Sequence, residues 1–314
     1  MWKFPIVKTG RVTKATGRWY IVETEDHRKF RCAVKGSFRI KGIRLSNPVV
    51  VGDYVTFEPD PPGETGLITH VRKRKNYIIR KSTNLSYEAQ IIAANIDQAF
   101  LIASLVKPKT LLPFIDRFLV AAEAYRIPVI LIFNKTDLHG ETENLELKKL
   151  TDIYENIGYK VLHTSVPQRK NLEKVKELLI NRTTLLSGNS GVGKTSLINA
   201  LEPSLNLKTK PVSRSHQTGK HTTTYAELFP LSFGGHIIDT PGIRGFGLVD
   251  TDKNEIYHFF PEIFKMAKEC NYYNCTHTHE PGCAVREAVE KGSIAESRYN
   301  SYLDLYFDKE KKYR

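Results

Sequence analysis

The sequence predicts a multidomain protein: an N-terminal all-β barrel of the OB-fold type, a central α/β domain and a C-terminal α-rich module with a metal site. Three observations carry this prediction. Short alternating segments broken by Gly, Asn and Pro run to about residue 80, strands then alternate with helices, and a Cys/His cluster comes late in the chain. Since 314 residues exceed a usual single core, we expect domains at 1–80, 81–248 and 249–314.

Five short segments in the first 80 residues have the pattern of strands. They are Pro5–Lys8, Trp19–Val22, Lys29–Val34, Val49–Val51 and Asp53–Phe57. Roughly five strands in about 75 residues fit an OB-fold, which often binds oligonucleotides, although another small barrel is an alternative. Cys32 is most simply a buried barrel residue, and Trp19 and Tyr20 are more simply core residues than base-stacking ones.

The positive charge of the chain is concentrated in this N-terminal region. The formal net charge is +13, and residues 1–80 hold 17 Lys and Arg against 7 Asp and Glu, whereas residues 251–314 hold 10 against 11. A basic domain favours a polyanionic partner, most often nucleic acid. The alternative is a basic surface that serves only solubility.

A membrane location is not expected. Residues 1–10 already mix Lys3, Pro5 and Lys8, which is unlike a signal peptide, and the apolar stretch 91–106 is interrupted by polar residues and too short to span a bilayer. We therefore expect a soluble, cytoplasmic protein without a membrane partner. Nothing in the sequence points to an obligate dimer, so a monomer is the expectation.

The central region alternates strands with helices. Predicted strands are 98–105, 128–133, 160–163, 183–186 and 236–238, and predicted helices are 111–126, 145–157, 172–180 and 196–201. This alternation predicts a parallel sheet with helices on both faces and functional loops at the carboxyl ends of its strands. After residue 249 the strand pattern stops, and 254–270, 284–291 and 295–306 have the periodicity of helices.

A phosphate-binding loop follows the strand at 183–186. It matches G-x-x-x-x-G-K-[ST] and consists of Gly188, Asn189, Ser190, Gly191, Val192, Gly193, Lys194 and Thr195, with Ser196 opening the next helix. Its backbone N–H groups and the helix N-terminus would face the phosphates. Lys194 would bridge the β- and γ-phosphates and stabilise the transition state, and the Thr195 hydroxyl would ligate Mg²⁺.

Asp239 ends the apolar strand at 236–238 and begins the string Asp-Thr-Pro-Gly. A carboxylate at this position can hold Mg²⁺ directly or through water, and the Gly242 N–H can meet the γ-phosphate. Alone, this string is typical of an ordinary turn at the end of a strand. Downstream of a phosphate loop it predicts a magnesium ligand.

A guanine-reading motif follows the strand at 128–133 and consists of Asn134, Lys135, Thr136 and Asp137. In GTPases, which this motif resembles, the aspartate accepts hydrogen bonds from guanine, the asparagine contacts the ring edge and the lysine stem packs over the base. Adenine cannot supply the two donors that a carboxylate at Asp137 would accept. Thr164 and Ser165 resemble the second base-contacting loop, although Val166 replaces the usual alanine.

The order of these motifs differs from that of an ordinary GTPase, in which the phosphate loop comes first. Here the base-reading motif at 134–137 precedes the phosphate loop at 188–195. The cyclic order is kept and only the starting point has moved. The sequence therefore predicts a circularly permuted P-loop GTPase domain.

A cluster of metal ligands lies between two predicted C-terminal helices. Cys270, Cys275, His277 and Cys283 offer three thiolates and one imidazole, a complete tetrahedral set for one structural Zn²⁺ ion, with His279 as a rival ligand. A small module with little core would gain much of its stability from such an ion.

Together these features resemble the ribosome small subunit-dependent GTPase A family (RsgA) over essentially the whole chain. The residues 219–224, Gly-Lys-His-Thr-Thr-Thr, resemble its first switch, and the permuted order, the barrel and the Cys/His module also match. The resemblance implies GTP and GDP as ligands, stimulation of hydrolysis by the small ribosomal subunit and a role in its late maturation. It also implies rRNA contacts by the barrel and the zinc module, and His277 rather than His279 as the zinc ligand.

The resemblance also bears on catalysis. By position, Thr223 corresponds to the switch threonine that closes over the γ-phosphate and Mg²⁺. Ile243 stands where Ras-like enzymes carry a water-orienting glutamine, so another group must act on the water. His221 is the hypothesis, and its alternative is a packing or capping role. Two other functions stay open: an RNA-binding assembly factor that uses GTP mainly as a conformational ligand, or a GTPase stimulated by another RNA.

Overall fold

The computed structural model describes residues 7–34, 48–60, 63–80, 90–207, 226–239 and 251–307. The chain forms two compact units. The first draws on residues 1–100, 172–187 and 194–245, and the second on residues 101–171, 188–193 and 246–314. Within the described ranges, no helix is long and apolar enough to cross a membrane. The expected domain boundaries at 80/81 and 248/249 stay predictions.

A closed five-stranded barrel begins the first unit. Its strands are β1 Lys8–Ala15, β2 Tyr20–Glu23, β3 Lys29–Val34, β4 Tyr54–Asp60 and β5 Thr65–Val71. Their order is β1-β2-β3-β5-β4, and β4 pairs back to β1, so the sheet closes on itself. The predicted OB-type barrel is confirmed. The individual strands differ in three places. Within 49–51 only Val51 pairs, in an isolated bridge, and β1 extends from Lys8 to Ala15, so it overlaps the strand predicted for 5–8 only at Lys8. Strand β5 was not expected from its irregular pattern.

Alternate residues of the barrel strands build its core. Val12, Val22, Phe30 and Phe57 have at most 2% of their surface exposed, because inward and outward side chains alternate along each strand. Cys32 is fully buried as expected, and burial raises the pKa of its thiol to about 12.

The two adjacent aromatic residues at the start of β2 have different environments. Tyr20 is 3% exposed and belongs to the core, but Trp19 is 37% exposed and lies under the Arg31 guanidinium, 4.4 Å from the ring centroid. The expected core role is therefore right for Tyr20 and wrong for Trp19.

The remaining strands of the first unit continue from the barrel. They are β6 Tyr77–Arg80, β7 Gln90–Ala94, β11 Thr183–Ser187, β12 Glu227–Pro230 and β13 His236–Asp239. Strand β11 runs parallel to β13, whereas β12 runs antiparallel to both β13 and β1. The sheet is thus mixed rather than purely parallel. Helices α3 Leu172–Leu179 and α4 Lys194–Leu201 also belong to this unit, and a short 3-10 helix, Pro203–Leu205, follows α4.

The chain enters the second unit within β8, Gln98–Ala103. There β9, Val129–Phe133, pairs in parallel with β10, Lys160–His163. All five residues of β9 are buried, which explains its unbroken apolar sequence. The flanking helices are α1 Leu112–Ala124 and α2 Glu141–Ile157.

The C-terminal module of the second unit is helical. A 3-10 helix, Lys253–Phe259, is followed by α5 Pro261–Ala267, α6 Ala284–Glu290 and α7 Glu296–Tyr306. The single helix predicted for 254–270 is wrong because Pro261, which has no N–H to donate, starts a new helix. Phe260, Ile263, Val285 and Tyr302 form the centre of the module's core.

A buried charge network attaches this module to α1. The Arg298 guanidinium of α7 donates to Asp116 of α1 at 2.9 Å and to Glu262 of α5 at 2.6 Å. Tyr154 and Ser301 donate further hydrogen bonds to the Asp116 carboxylate, at 2.9 and 2.6 Å. Burial opposes the charge of Arg298, but the two carboxylates outweigh it and raise its pKa above its usual range. The guanidinium therefore stays charged inside the protein.

Candidate nucleotide site and metal centre

The base-reading motif begins where β9 ends, and its first residue joins three chain segments. Asn134 is 3% exposed. Its Nδ2 donates to the Val192 carbonyl of the phosphate loop at 2.9 Å, and its Oδ1 accepts from the Thr164 hydroxyl at 3.0 Å. A buried amide of this kind needs partners on both its atoms. Asn134 therefore fixes the base-reading motif against the phosphate loop and against the loop after β10.

Lys135 adopts a left-handed backbone, with φ of 66°, at the start of a 3-10 helix, Thr136–Leu138. Its Nζ donates to the Gly191 carbonyl at 2.6 Å and to the Lys107 carbonyl at 2.5 Å. Burial lowers the pKa of this ammonium group, and the Asp137 charge opposes that effect. The side chain is thus held between two backbone segments.

Asp137 and Ser165, two residues predicted to contact the base, lie side by side. The Ser165 hydroxyl donates to Asp137 Oδ1 at 2.6 Å, and the Thr136 hydroxyl donates to the Thr164 carbonyl at 3.2 Å. The loop after β10 is therefore adjacent to the motif, as its position after a neighbouring parallel strand implies. Val166, where an alanine is usual, does not prevent this arrangement.

The glycines of the phosphate loop permit approaches that a side chain would block. Gly188 has φ of 142°, and a Cβ there would lie 2.1 Å from the Ile102 carbonyl oxygen. Gly193 has φ of 97°, and its Cβ would lie 2.4 Å from Asn134 Nδ2. Glycine is needed at both positions for the backbone conformation and for space. The sequence pattern of the loop thus follows from its packing.

The motif residues from Lys194 onward belong to the first unit. Lys194, Thr195 and Ser196 form the first turn of α4. Asp239 ends β13, where it is in register with Leu186 of β11. Burial lowers the pKa of Lys194, and the opposite charge of Asp239 counteracts that effect. A lysine and an aspartate are therefore close enough to interact at the N-terminus of a helix, where anions are favoured.

Three predicted site residues lie outside the described residues. They are His221, Thr223 and Gly242. Their roles stay predictions.

Three cysteines and one histidine of the C-terminal module converge. The ligand atoms of Cys270, Cys275, His277 and Cys283 all lie within 4.8 Å of one another. His277 Nδ1 is 3.6 Å from the sulfurs of Cys270 and Cys283, and these two sulfurs are 3.9 Å apart. Tetrahedral bonds of about 2.3 Å to sulfur and 2.0–2.1 Å to nitrogen imply separations of about 3.8 and 3.6 Å. The group fits a metal ion of this size and geometry.

Of the two candidate histidines, only His277 belongs to the cluster. It is 1% exposed and presents Nδ1 to the sulfurs. His279 is exposed, and its ring contacts the Thr278 hydroxyl instead. Burial raises the pKa of the Cys275 and Cys283 thiols, because a thiolate among apolar side chains needs a cation nearby.

Glu280 supports the turn that carries His277, and sequence reasoning did not identify it. Its carboxylate accepts hydrogen bonds from the Thr276 N–H and hydroxyl at 2.8 and 2.5 Å, and from the N–H groups of Thr278 and His279 at 3.1 and 3.2 Å. Burial opposes the charge, but these bonds outweigh it and lower the pKa of Glu280. The one feature of the sequence that could have indicated this role is the position of a carboxylate between His277 and Cys283.

A phosphate loop bonded to a guanine-reading motif that precedes it in sequence defines a P-loop protein of the permuted GTPase class. Comparison with known families agrees: the RsgA GTPase model matches residues 71–249 and the RsgA N-terminal domain model matches residues 9–68. The chain belongs to the RsgA family of GTPases. The resemblance stated from its motifs is confirmed.

Individual relatives match over nearly the full length. Proteins named small ribosomal subunit biogenesis GTPase RsgA from Christiangramia forsetii and Phocaeicola vulgatus are 51% and 53% identical to it, each over 97% of this chain and 98% of the relative. Two crystal structures are also similar. YjeQ from Thermotoga maritima has a TM-score of 0.79 and 32% identity, covering 98% of this chain and 100% of that one. YloQ, described as a circularly permuted GTPase, has a TM-score of 0.74 and 30% identity, covering 98% and 97%.

Proposed function

We propose that this chain hydrolyses GTP on the small ribosomal subunit during the biogenesis of that subunit. The observation that carries the proposal is the bonding of Asn134 and Lys135 to the carbonyls of Val192 and Gly191. These contacts join a guanine-reading motif to a phosphate loop that follows it in sequence. The names of the curated relatives, small ribosomal subunit biogenesis GTPase, supply the site of action.

Guanine would be recognised by hydrogen bonds to the Asp137 carboxylate, which Ser165 orients through Oδ1. A carboxylate accepts from the two guanine donors, whereas adenine offers none in that arrangement and leaves the carboxylate unpaired. The loop of Thr164 and Ser165 would line the same side of the base. Discrimination against ATP then follows from a lost pair of hydrogen bonds rather than from shape alone.

The triphosphate would lie along the loop Gly188–Gly193 and the first turn of α4. Lys194 would neutralise charge on the β- and γ-phosphates as water attacks in line. Thr195, Thr223 and Asp239 would hold Mg²⁺, which supplies charge neutralisation between the phosphates when bound. Gly242 would donate its N–H to the γ-phosphate.

Turnover is expected to be slow in the absence of a partner, since Ile243 cannot orient water. We assign that role to His221, with Thr223 closing over the γ-phosphate. Replacing His221 with Ala should remove the stimulated turnover and spare GTP binding, and unchanged stimulated turnover would exclude the assignment.

The metal of the Cys270–Cys283 cluster is proposed to be a structural Zn²⁺. Three thiolates and one imidazole fill the tetrahedral shell and leave no position for a substrate. The barrel, with its excess of Lys and Arg, and the metal module would contact rRNA. We place the protein in the cytoplasm as a monomer, the latter testable by light scattering of the purified chain.

GTP turnover with different RNA partners tests the function. Phosphate release would be measured at fixed GTP with small subunits, large subunits and transfer RNA in parallel, and Lys194→Ala would serve as the inactive control. Stimulation by small subunits alone is expected. Equal stimulation by transfer RNA or large subunits would contradict the proposal.

Because Ile243 stands in place of a water-orienting glutamine, it is necessary to test whether GTP hydrolysis is required for release from the small subunit. If GTP is mainly a conformational ligand, the His221→Ala variant should bind to and dissociate from small subunits as the wild type does. If hydrolysis drives release, the variant should stay bound in the presence of GTP. Sedimentation of subunits with the two proteins separates these outcomes.

A further inference from the structure

The loop between β8 and α1 is closed by reciprocal hydrogen bonds near its two ends. The Ser104 N–H donates to the Thr110 hydroxyl at 3.1 Å, and the Thr110 N–H donates to the Ser104 carbonyl at 2.7 Å. The Ser104 hydroxyl donates to the Val106 carbonyl at 2.5 Å and accepts from its N–H at 3.2 Å. Ser104 and Thr110 are 0% and 1% exposed. We call this segment, residues 104–110, the closed loop.

The middle of the closed loop presents a carbonyl to the base-reading lysine. Lys107 has φ of 43°, a left-handed conformation that is costly for a residue with a side chain, and its carbonyl accepts from Lys135 Nζ at 2.5 Å. Lys135 itself has φ of 66°. Such conformations persist only where surrounding contacts enforce them, and here the bonds of Ser104 and Thr110 supply those contacts.

The ammonium group of Lys135 is therefore fixed from two sides. One N–H points to Gly191 of the phosphate loop and another to Lys107 of the closed loop. Among the described residues, no carboxylate lies within ion-pairing distance of it, so these carbonyls determine where the side chain runs. A lysine stem has four rotatable bonds, and fixing it before a ligand arrives removes an entropy cost from binding.

We propose that Ser104 and Thr110 are positioning residues for guanine recognition, because they hold the Lys107 carbonyl that fixes Lys135. The inference rests on the proposed guanine site and deepens it. Since Lys135 belongs to the base-reading motif and GDP and GTP carry the same base, the closed loop should change the affinity for both nucleotides by the same factor. It has no part in distinguishing the two nucleotides.

The first experiment removes the hydroxyl of Thr110. Binding of fluorescent N-methylanthraniloyl-GDP and its GTP counterpart would be titrated with the wild type, Thr110→Val and Thr110→Ser. Losing a hydrogen bond that leaves the buried Ser104 N–H unpaired should weaken both affinities by about three- to thirtyfold. Thr110→Ser keeps the hydroxyl and should restore them. Thr13→Val is the matched control, since it deletes a buried hydroxyl that donates to the Ile21 carbonyl within the barrel.

A double-mutant cycle with Lys135→Ala separates positioning from general stability. Once Lys135 is gone, Thr110→Val should change the affinity by less than about twofold, because nothing remains to be positioned. Wild-type affinity in Thr110→Val, or an equal loss with and without Lys135, would overturn the proposal. If circular dichroism shows Thr110→Val to be unfolded, Ser104→Ala replaces it in the same cycle. This substitution removes the hydroxyl that bonds to the carbonyl and N–H of Val106, and the same outcomes would support or overturn the proposal.

The base preference of the wild type is measured in the same titration with N-methylanthraniloyl-ADP. If the wild type binds this ADP analogue as tightly as the GDP analogue, the assignment of the guanine site is wrong and the closed loop has no role in it. If the wild type prefers guanine and the variants keep its affinity, only the role of the closed loop is refuted.

Discussion

Replacing Arg298 with Ala should severely destabilise the second unit. Arg298 and Asp116 are 1% and 0% exposed, and the guanidinium bonds to Asp116 and Glu262 at once. Its removal leaves the Asp116 carboxylate buried, with the hydroxyls of Tyr154 and Ser301 as its remaining donors within the described part of the chain. Breaking a buried ion pair from one side costs about 3–5 kcal/mol, because the remaining charge has lost its partner without regaining water.

Hydrogen exchange is a suitable assay because the two units need not unfold together. Amides of α1 and α7 would be followed by mass spectrometry, and their opening free energies would be compared between the variant and the wild type. The control is Lys291→Ala, whose ion pair with Glu287 is exposed and worth about 0.3–0.5 kcal/mol. A loss below about 1 kcal/mol for Arg298→Ala would refute the reasoning.

Three further predictions concern the glycine loop, a half-buried histidine and the barrel cysteine. Gly193→Ala should weaken GDP binding at least tenfold, since its Cβ meets Asn134 Nδ2, whereas Gly158→Ala, with φ of 113° and open space around it, should bind GDP normally in the same titration. Burial lowers the pKa of His163, so the unfolded state binds its proton more readily and the second unit should lose stability as pH falls below about 6.5. His163→Gln should flatten that loss in urea titrations between pH 7.5 and 5.5, and an unchanged slope would contradict it. Cys32 should resist iodoacetamide until the barrel unfolds, because it is fully buried with a raised pKa, and rapid labelling of its peptide in the native protein would contradict this.

The local motifs could be predicted because their chemistry depends on consecutive residues. The strand at 129–133 is unbroken and apolar, so its end and the motif after it were placed correctly. The Cys/His group that could hold a metal ion was predictable for the same reason, since Cys270 to Cys283 spans only fourteen residues. The break between the 3-10 helix and α5 is also local, because Pro261 has no N–H to donate and starts a new helix, although the apolar periodicity continues across it.

The contacts between distant segments could not be predicted in the same way. Arg298 and Asp116 are 182 positions apart. Each was visible only as an isolated charge in a predicted helix, and nothing in the spacing linked the two. The closed loop was missed because Ser and Thr are common in loops and their partners depend on the backbone path. The buried polar pairs that fix this site are thus the part that sequence patterns reveal least.

The pairing of β1 with β12 is a further contact between distant segments, and it joins the barrel to the strands that precede the Asp-Thr-Pro-Gly motif. Lys14 lies opposite Glu227 in the register of β1 and β12, and their side chains form an ion pair at 3.0 Å. Backbone pairing therefore runs from β13, which ends in Asp239, through β12 to the first strand of the barrel. Glu227 follows the predicted switch threonine, Thr223, by four residues. The first strand of the barrel is consequently paired with the residue at which β12 begins, so a variant that shifts β12 should either move β1 with it or break the pairing of Lys14 with Glu227.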